Sequence, residues 1–297
     1  MRLRADWLSR VLNVPYVPIL GPTHPDQFTA EMFTDVFADI LHASRTGSAL
    51  PFDKDHRWSP RKTDTVLVDE IVHRPDHTII PTLTQRRGGT VKTFYYGREP
   101  NRETLRSATR DWCTRYSAAH GRVIWFTPDD TTPETPAGDP TRILLKEFNN
   151  EPEPPPDGPV VRKLDDCTTS VAATFETFAH AMADHGFRFL LRRRSTDQSD
   201  GPVLVSQDNN AIVGAIGPLT IMPDRAGGRM LLPQYFGVLS EQRGAGHGRA
   251  LWRAAQRWGA RHNADYQLLQ AQAGGASERL FLAEGLRSLG MIATVTA

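Results

Sequence analysis

Residues 249–261 combine an apolar stripe with a basic stripe. Apolar side chains return every three or four positions, at Ala250, Leu251, Ala254, Ala255 and Trp258. Arginines fall at every fourth position, at Arg249, Arg253, Arg257 and Arg261. Since an α-helix completes a turn in about 3.6 residues, the two stripes lie on different sides of one helix. The pattern predicts a helix that buries its apolar side and exposes its arginines.

A strand is predicted before this helix. Residues 230–239 are apolar and aromatic, which favours a β-strand, and Pro233 indicates a bulge or an unpaired edge within it. The junction between strand and helix has three glycines in five positions, Gly244, Gly246 and Gly248. Glycine allows the backbone to adopt positive φ, so several N–H groups of this turn can point at one external anion.

The rest of the second half alternates between strand and helix patterns. The predicted strands are residues 160–164, 202–206, 211–222, 266–271 and 291–295. The predicted helices are residues 168–185 and 277–286. Asp208, Asn209 and Asn210 favour a turn that joins the second and third of these strands as a hairpin.

The first half is predicted to be another mixed α/β region. Helical patterns cover residues 7–14, 27–44 and 101–117, and Asn101 is the expected N-cap of the third helix. Strand patterns cover residues 65–72, 78–83, 91–96, 122–126 and 143–145. The strand–helix–strand order of residues 91–126 matches that of the glycine-turn unit. This order favours a degenerate tandem copy of that unit.

A proline-rich segment separates the halves. Residues 149–158 hold four prolines among acidic residues, a composition typical of a semi-rigid linker. We therefore expect an N-terminal α/β domain of residues 1–148, a linker of residues 149–158 and a second domain of residues 159–297.

Composition indicates a soluble globular protein. A chain of 297 residues ordinarily forms two domains, and a formal charge of +1 gives no overall attraction to nucleic acid or membrane. Cys113 and Cys167 lack partners at metal-binding spacing, so we expect neither a metal site nor a disulfide framework. Such cysteine usage suits a reducing cytoplasm. We expect no membrane helix, because no apolar run approaches the roughly 20 residues required. We expect no secretion signal, because residues 1–6 lack the apolar core of one.

The turn at residues 243–249 has the character of a phosphate site. A helix N-terminus offers unpaired N–H donors and about half a positive charge, and Arg243 adds a full charge beside it. A P-loop requires Lys and then Ser or Thr after the last glycine, whereas Arg249 and Ala250 follow Gly248. The Gly-x-Gly-x-Gly spacing also differs from the Gly-x-Gly-x-x-Gly of dinucleotide-binding folds.

The motif around this turn is similar to that of a known family. From Gly237 to Gly248 the chain reads Gly-Val-Leu-Ser-Glu-Gln-Arg-Gly-Ala-Gly-His-Gly. With its preceding strand and following helix, this resembles the Arg-x-x-Gly-x-Gly motif of the GCN5-related N-acetyltransferases (GNAT). The resemblance covers residues 159–297 and implies a GNAT acyltransferase fold for them.

The resemblance also implies a co-substrate, acetyl-CoA or another acyl-CoA. Its pyrophosphate would contact Arg243, Gly244, Ala245, Gly246, His247, Gly248 and Arg249. Its pantetheine arm would contact Phe236, Gly237, Val238 and Leu239. A strand N–H would polarise the thioester carbonyl while an amine of a small-molecule acceptor attacks it directly, with a general base and a general acid moving the protons.

Two positions depart from the family pattern. Phe281 stands where the family often has a tyrosine acid, and Gly274 stands where it usually has an asparagine that contacts the pantetheine. Tyr235 and Ser277 are the candidate proton donors. Each also has a purely structural interpretation, Tyr235 as a half-buried strand aromatic and Ser277 as the N-cap of its helix.

These departures leave two other functions open. Some transferases of this fold take an aminoacyl group from a charged tRNA, and the Arg249, Arg253, Arg257 and Arg261 stripe could bind that tRNA. The structural alternative is a solvated helix face. A non-catalytic CoA-binding sensor is the third hypothesis, and Phe281 supports it.

Overall fold

The computed structural model describes residues 24, 64–74, 77–84, 88–97, 100–128, 140–148, 158–196, 201–224 and 227–297. The chain forms two compact units. Unit 1 contains Met1–Lys146, Asp224–Gly228 and Leu268–Ala297, and unit 2 contains Glu147–Pro223 and Arg229–Gln267. The predicted helices at 7–14 and 27–44 and most of the predicted linker lie outside the described residues, so the linker stays a prediction.

The described strands are numbered along the chain. They are β1 (Asp64–Val66), β2 (Val72–His73), β3 (His77–Thr84), β4 (Thr90–Gly97), β5 (His120–Pro128), β6 (Thr141–Glu147), β7 (Val161–Lys163), β8 (Leu204–Asp208), β9 (Ala211–Gly217), β10 (Ile221–Pro223), β11 (Arg229–Leu231), β12 (Tyr235–Val238), β13 (Tyr266–Gln272) and β14 (Arg287–Thr296).

The described α-helices are α1 (Arg102–Arg115), α2 (Thr169–Ala181), α3 (Phe187–Ser195), α4 (His247–Arg261) and α5 (Ala276–Ala283). The sequence predicts α1, α2, α4 and α5 but misses α3. The predicted helix of residues 168–185 corresponds to α2 and a following 3-10 turn at Ala183–His185. Gly186, which adopts φ 88°, ends that turn, and α3 begins immediately after it. In the described part of the chain, no helix has the length and hydropathy that crossing a membrane requires.

Unit 1 is built on a mixed sheet. The part of this sheet that begins in unit 1 has the strand order β1-β3-β4-β5-β14-β6-β13, with β2 alongside β3. The predicted strand–helix–strand run is confirmed, because β4 and β5 pair in parallel and are joined by α1. Asn101 caps α1 as predicted, since its Oδ1 accepts the N–H of Thr104 at 3.1 Å. Buried Leu105 and Trp112 of α1 pack against this sheet.

The last strand of the chain lies inside the sheet of unit 1. β14 pairs antiparallel with β5 on one side and with β6 on the other. Ile292, for example, lies opposite Phe126 of β5 and Thr141 of β6. The sequence predicts β14 as a strand but assigns it to the C-terminal domain, and its neighbours come from the N-terminal half.

Glu70 ties the start of unit 1 to α1. Its carboxylate accepts the indole N–H of Trp112 at 2.8 Å and the hydroxyl of Tyr116 at 3.0 Å, and it pairs with the guanidinium of Arg115. Burial raises the pKa of this carboxyl, but the three donors together outweigh burial and hold the pKa below its ordinary value of 4.5.

This network is expected to make unit 1 sensitive to acid. A carboxyl whose pKa is lowered by folding stabilises the protein above its unfolded pKa and loses that effect as pH falls through the folded pKa. We expect Glu70→Gln to unfold at lower denaturant concentration than the parent at about pH 7. The difference should shrink as the pH is lowered from about 7 through the folded-state pKa of Glu70, below which the carboxyl is protonated in both states. A difference that stays constant across this range would contradict the assignment.

Unit 2 has a four-stranded antiparallel sheet covered on both faces. Its order is β12-β9-β8-β7. Val205 and Ala215 lie opposite each other and contribute to a core with α2 and α3, whose buried members include Phe178 and Phe187. The adjacent pair, Ser206 and Gly214, faces α4, because side chains of a strand alternate between the two faces.

Gly214 allows α4 to approach this sheet closely. A Cβ atom added at Gly214 would lie 2.8 Å from Cδ1 of Leu251, which is closer than carbon atoms pack. Leu251 and Ala255 of the predicted apolar stripe lie on the buried side of α4 together with Gly259, whereas Ala254 and Trp258 of the stripe are half-buried. The start of α4 is thereby held against the sheet that carries β12.

Candidate functional site

Residues 229–238 form two successive strands, β11 and β12, which pair with different neighbouring strands. β11 pairs in parallel with β13 through Met230 and Tyr266, whereas β12 pairs antiparallel with β9. The break between them falls at residues 232–234 and contains Pro233. The predicted irregularity at Pro233 is confirmed, and the single predicted strand of residues 230–239 is corrected to two.

Buried amide side chains hold the chain at this break. Gln267 Nε2 donates to the carbonyl oxygen of Leu232 at 3.3 Å and to Oε1 of Gln234 at 3.0 Å. Gln256 Nε2 of α4 donates to Oε1 of Gln267 at 2.9 Å. Buried polar groups that bond one another fix a local geometry, so this chain of glutamines sets the point at which β12 leaves the direction of β11. No sequence signal singled out these glutamines.

β12 is an end strand of its sheet and presents backbone N–H groups along one edge. The N–H of Leu239 donates to the carbonyl oxygen of Val213 on β9 at 2.9 Å, and Val238 lies opposite Gly214. Antiparallel strands alternate between bonded and non-bonded pairs. The N–H of Val238 therefore points away from β9, whereas that of Gly237 points toward it.

The glycine turn follows β12 directly. A 3-10 turn at Ser240–Gln242 leads to Gly244 and Gly246, which adopt φ 87° and 85°. These values lie in the left-handed region that glycine adopts without the steric cost of a side chain. Gly244, Ala245 and Gly246 are all exposed, and α4 begins immediately afterwards.

The amides of this turn have a distinctive pattern of hydrogen bonding. The N–H of Arg243 donates to the Ser240 carbonyl at 3.3 Å, and that of Ala250 donates to the Gly246 carbonyl at 3.0 Å. Among the described residues, no backbone carbonyl accepts the N–H groups of residues 244–248. The first amides of a helix have no partner within it, so this stretch offers consecutive donors to an anion.

Charge around the turn is of both signs. Arg243 is exposed at its entrance. The nearby carboxyl of Glu241 has its pKa lowered by its own backbone N–H, by the Ser240 hydroxyl and by the positive charge of Arg243. Glu241 is therefore ionised near neutral pH and is poorly suited to hold a proton for transfer.

His247 turns its side chain into the protein. It is 6% exposed, and its Nδ1 lies 2.5 Å from Oγ of buried Ser206 on β8. The pair joins the first residue of α4 to the sheet beneath it. The backbone N–H of His247, by contrast, has no backbone acceptor among the described residues.

Removing the imidazole is expected to destabilise unit 2. His247→Ala leaves the Ser206 hydroxyl buried without its partner, and such a loss costs about 1–3 kcal/mol. Denaturant unfolding of His247→Ala, Ser206→Ala and the double variant gives the coupling between the two side chains. We expect a coupling of about 1 kcal/mol. Strictly additive effects would show that the contact contributes nothing.

Comparison with solved structures identifies this architecture. A crystal structure of a GCN5-related N-acetyltransferase from Sphaerobacter thermophilus covers 100% of this chain and 94% of its own length, with TM-score 0.52 and 16% sequence identity. The chain has the GNAT fold. The predicted fold class, mixed α/β with a GNAT fold, is thereby confirmed.

Other GNAT structures are similar at lower scores. A tandem GNAT protein from the clavulanic acid biosynthesis pathway is 11% identical, with TM-score 0.44, and the match covers 76% of this chain and 81% of that one. A GCN5-related N-acetyltransferase from Kribbella flavida is 12% identical, with TM-score 0.41, over 77% of this chain and 90% of that one. No protein-family model and no curated protein sequence matches the chain.

The two predicted proton donors lie in different units. Tyr235 begins β12 in unit 2, where its half-buried ring contacts Phe187 at 6.3 Å and Phe189 at 6.5 Å between ring centroids. Ser277 is an exposed residue of α5 in unit 1. Its structural interpretation as N-cap is wrong, because Gly275 occupies that position.

The structure shows the surroundings of Phe281 and Gly274, the two positions that depart from the GNAT motif. Phe281 is 5% exposed on α5, so its position contributes apolar packing and no hydroxyl group. Gly274 adopts φ 74°, and its N–H donates to Oε2 of Glu278 at 2.5 Å. Any proton donor must therefore come from a residue other than Phe281.

Proposed function

We propose that this chain is an N-acyltransferase that moves an acetyl or other acyl group from acyl-CoA to an amine of a small-molecule acceptor. The observation that carries the proposal is the run of residues 244–248 before and at the start of α4, whose successive backbone N–H groups are accepted by no backbone carbonyl among the described residues. Phosphate groups bind at such helix N-termini through backbone N–H groups and the positive end of the helix dipole. The GNAT fold supports the same donor.

Arg243 and the amides of Gly244–Gly248 would hold the pyrophosphate of the donor. The edge of β12 would hold the pantetheine arm, whose amide groups can pair with the outward backbone groups of an end strand. Phe236, Gly237, Val238 and Leu239 contribute unequally, because their N–H groups alternate in direction. This arrangement suits an extended ligand that carries phosphate at one end.

The transfer needs no nucleophile from the protein. The acceptor nitrogen attacks the thioester carbonyl carbon, the carbon–sulfur bond breaks, and the proton lost by the amine is balanced by one gained by the thiolate. The N–H of Val238 is the donor that we assign to the carbonyl oxygen, where negative charge develops during attack. Tyr235 and Ser277 remain the proposed proton donors.

Calorimetric titration of the purified chain with CoA and with acetyl-CoA tests the proposal. Binding, followed by release of free CoA thiol with one member of a panel of polyamines, amino sugars and amino acids, would support it. Mass spectrometry of the product should show one added acetyl group on nitrogen.

Two other outcomes distinguish the alternatives. Binding of CoA without turnover across the panel would favour a CoA-binding sensor, for which buried Phe281 is the supporting residue. Failure of both CoA and acetyl-CoA to bind would overturn the proposal. Turnover of aminoacyl-tRNA in that case would establish the tRNA-dependent transferase instead.

A further inference from the structure

A groove runs along the exposed side of α4 within unit 2. Its volume is about 810 Å³. One wall is the face of α4 that carries Arg253, Arg257, Trp258 and Arg261, and the other is β7 with the residues before it. We call this the α4–β7 groove. The residues of the turn at 243–248 do not line it.

The α4–β7 groove is strongly basic. Four residues of its described lining, Lys163, Arg253, Arg257 and Arg261, carry cationic side chains on the α4 side of the sheet. Arg162 also lines the groove, but it lies opposite Val205, so its side chain projects to the other face. Asp166 is the single acidic residue of that described lining. Since the whole chain has a formal charge of only +1, positive charge is concentrated here far above the average of the surface. Such a concentration attracts polyanions.

The cations are arranged in a row. Arg253, Arg257 and Arg261 follow one another at intervals of four residues, which corresponds to a rise of about 6 Å along the helix between neighbours. This interval is comparable to that of successive phosphates along a single nucleic-acid strand. A row of charges at such spacing fits a chain of phosphates better than one compact anion.

The opposite wall adds backbone donors. β7 is an end strand, and the N–H of Leu164 donates to the carbonyl oxygen of Val203 at 2.8 Å. By the alternation of antiparallel pairs, the N–H groups of Val161 and Lys163 point away from β8. Backbone N–H groups commonly bind phosphate oxygens in nucleic-acid complexes.

An aromatic surface completes the groove. The rings of Trp258 and His262 stack at 4.1 Å between centroids with an interplanar angle of 21°, and both residues line the groove. Val160 on the facing wall is 67% exposed. Proteins that bind single strands combine a basic groove with aromatic side chains on which bases stack.

We propose that the α4–β7 groove binds the backbone of single-stranded nucleic acid, with phosphates along the arginine row and a base on the Trp258–His262 stack. This site is separate from the glycine turn and does not depend on which acyl donor the chain uses. It gives the predicted basic stripe a specific role for three of its four arginines. Arg249 does not line the groove.

Fluorescence anisotropy with a labelled RNA of about 12 nucleotides tests the proposal on the full chain. We expect micromolar binding at low salt that weakens steeply as salt rises. Arg257→Glu/Arg261→Glu should weaken binding at least tenfold and reduce the slope of log K against log salt by about 1.4, since each lost phosphate contact contributes about 0.7.

Trp258→Leu separates stacking from charge. We expect it to weaken RNA binding about tenfold without changing the salt slope, because base stacking adds no ion pair. The matched control is Arg188→Glu/Arg192→Glu, which reverses two exposed charges on α3, away from the groove. This control should bind RNA like the parent. Thermal unfolding of each variant checks that unit 2 remains folded.

Other ligands give different results. If the Arg257 and Arg261 variant lost CoA affinity and kept RNA affinity, the groove would belong to the CoA site and the proposal would be wrong. Equal binding of a polyglutamate peptide and RNA would reduce the groove to a general polyanion surface and would also overturn the proposal. An unlabelled deacylated tRNA that displaces the probe would support it and would place tRNA among the strands the groove accepts.

Discussion

Ala245→Glu should weaken CoA binding about 100-fold, which corresponds to about 2.7 kcal/mol. Ala245 is exposed in the middle of the turn, between two glycines of positive φ. A carboxylate there would stand close to the pyrophosphate, and two like charges about 4 Å apart repel by up to about 4 kcal/mol near a protein surface. Calorimetric titration of CoA into the variant measures the loss.

Ala245→Gln is the matched control. It has nearly the same size and shape as glutamate but carries no charge, so it should retain CoA affinity within about threefold if charge is the cause. The repulsion should also shrink at high salt, since exposed charges are screened. If glutamine and glutamate weakened binding equally, the effect would be steric and the phosphate assignment would fail.

Val238→Pro should lower kcat by about 100-fold to 1000-fold with little change in the Kd for CoA. Proline lacks the N–H that we assign to the thioester oxygen, and removal of one such donor costs about 2.7–4 kcal/mol of transition-state stabilisation. Because that N–H points away from β9, its loss leaves the pairing of β12 with β9 intact. Release of CoA thiol from acetyl-CoA, with the best amine acceptor, measures kcat.

Two further variants test whether the outward N–H of residue 238 is the group that matters. Val238→Ala keeps the N–H and should retain kcat within about tenfold. Gly237→Pro removes an N–H that faces β9. The new side chain would also collide with Met182, because a Cβ atom added at residue 237 would lie 2.4 Å from the Met182 Cε atom. This variant should lower thermal stability where Val238→Pro does not. If Val238→Pro kept full kcat, a different group would have to stabilise the oxyanion.

Local features of the site were predictable from sequence. The glycines at 244, 246 and 248, the apolar stripe of α4 and the break at Pro233 each depend on residues that are neighbours along the chain. Backbone conformation and helix periodicity are set at that range, so a single sequence reveals them. The turn, the helix and the irregular strand therefore all lie where the pattern places them.

Long-range contacts were not predictable in the same way. His247 reads as a turn residue, but its imidazole contacts Ser206, which lies 41 positions earlier in the chain. The glutamines at 234, 256 and 267 meet only after three elements have packed together. No local pattern distinguishes a polar side chain that finds a buried partner from one that faces solvent.

The position of β14 has a consequence for how the chain folds. β5 and β6 belong to the N-terminal half, yet they are separated by a strand that the ribosome makes only after the whole of unit 2 has been synthesised. Until those residues emerge, both strands have unsatisfied edges, which are open to wrong partners. The four-stranded sheet of unit 2 does not include β14, so unit 2 can mature first. The strands of unit 1 that are synthesised before unit 2 are then completed after it.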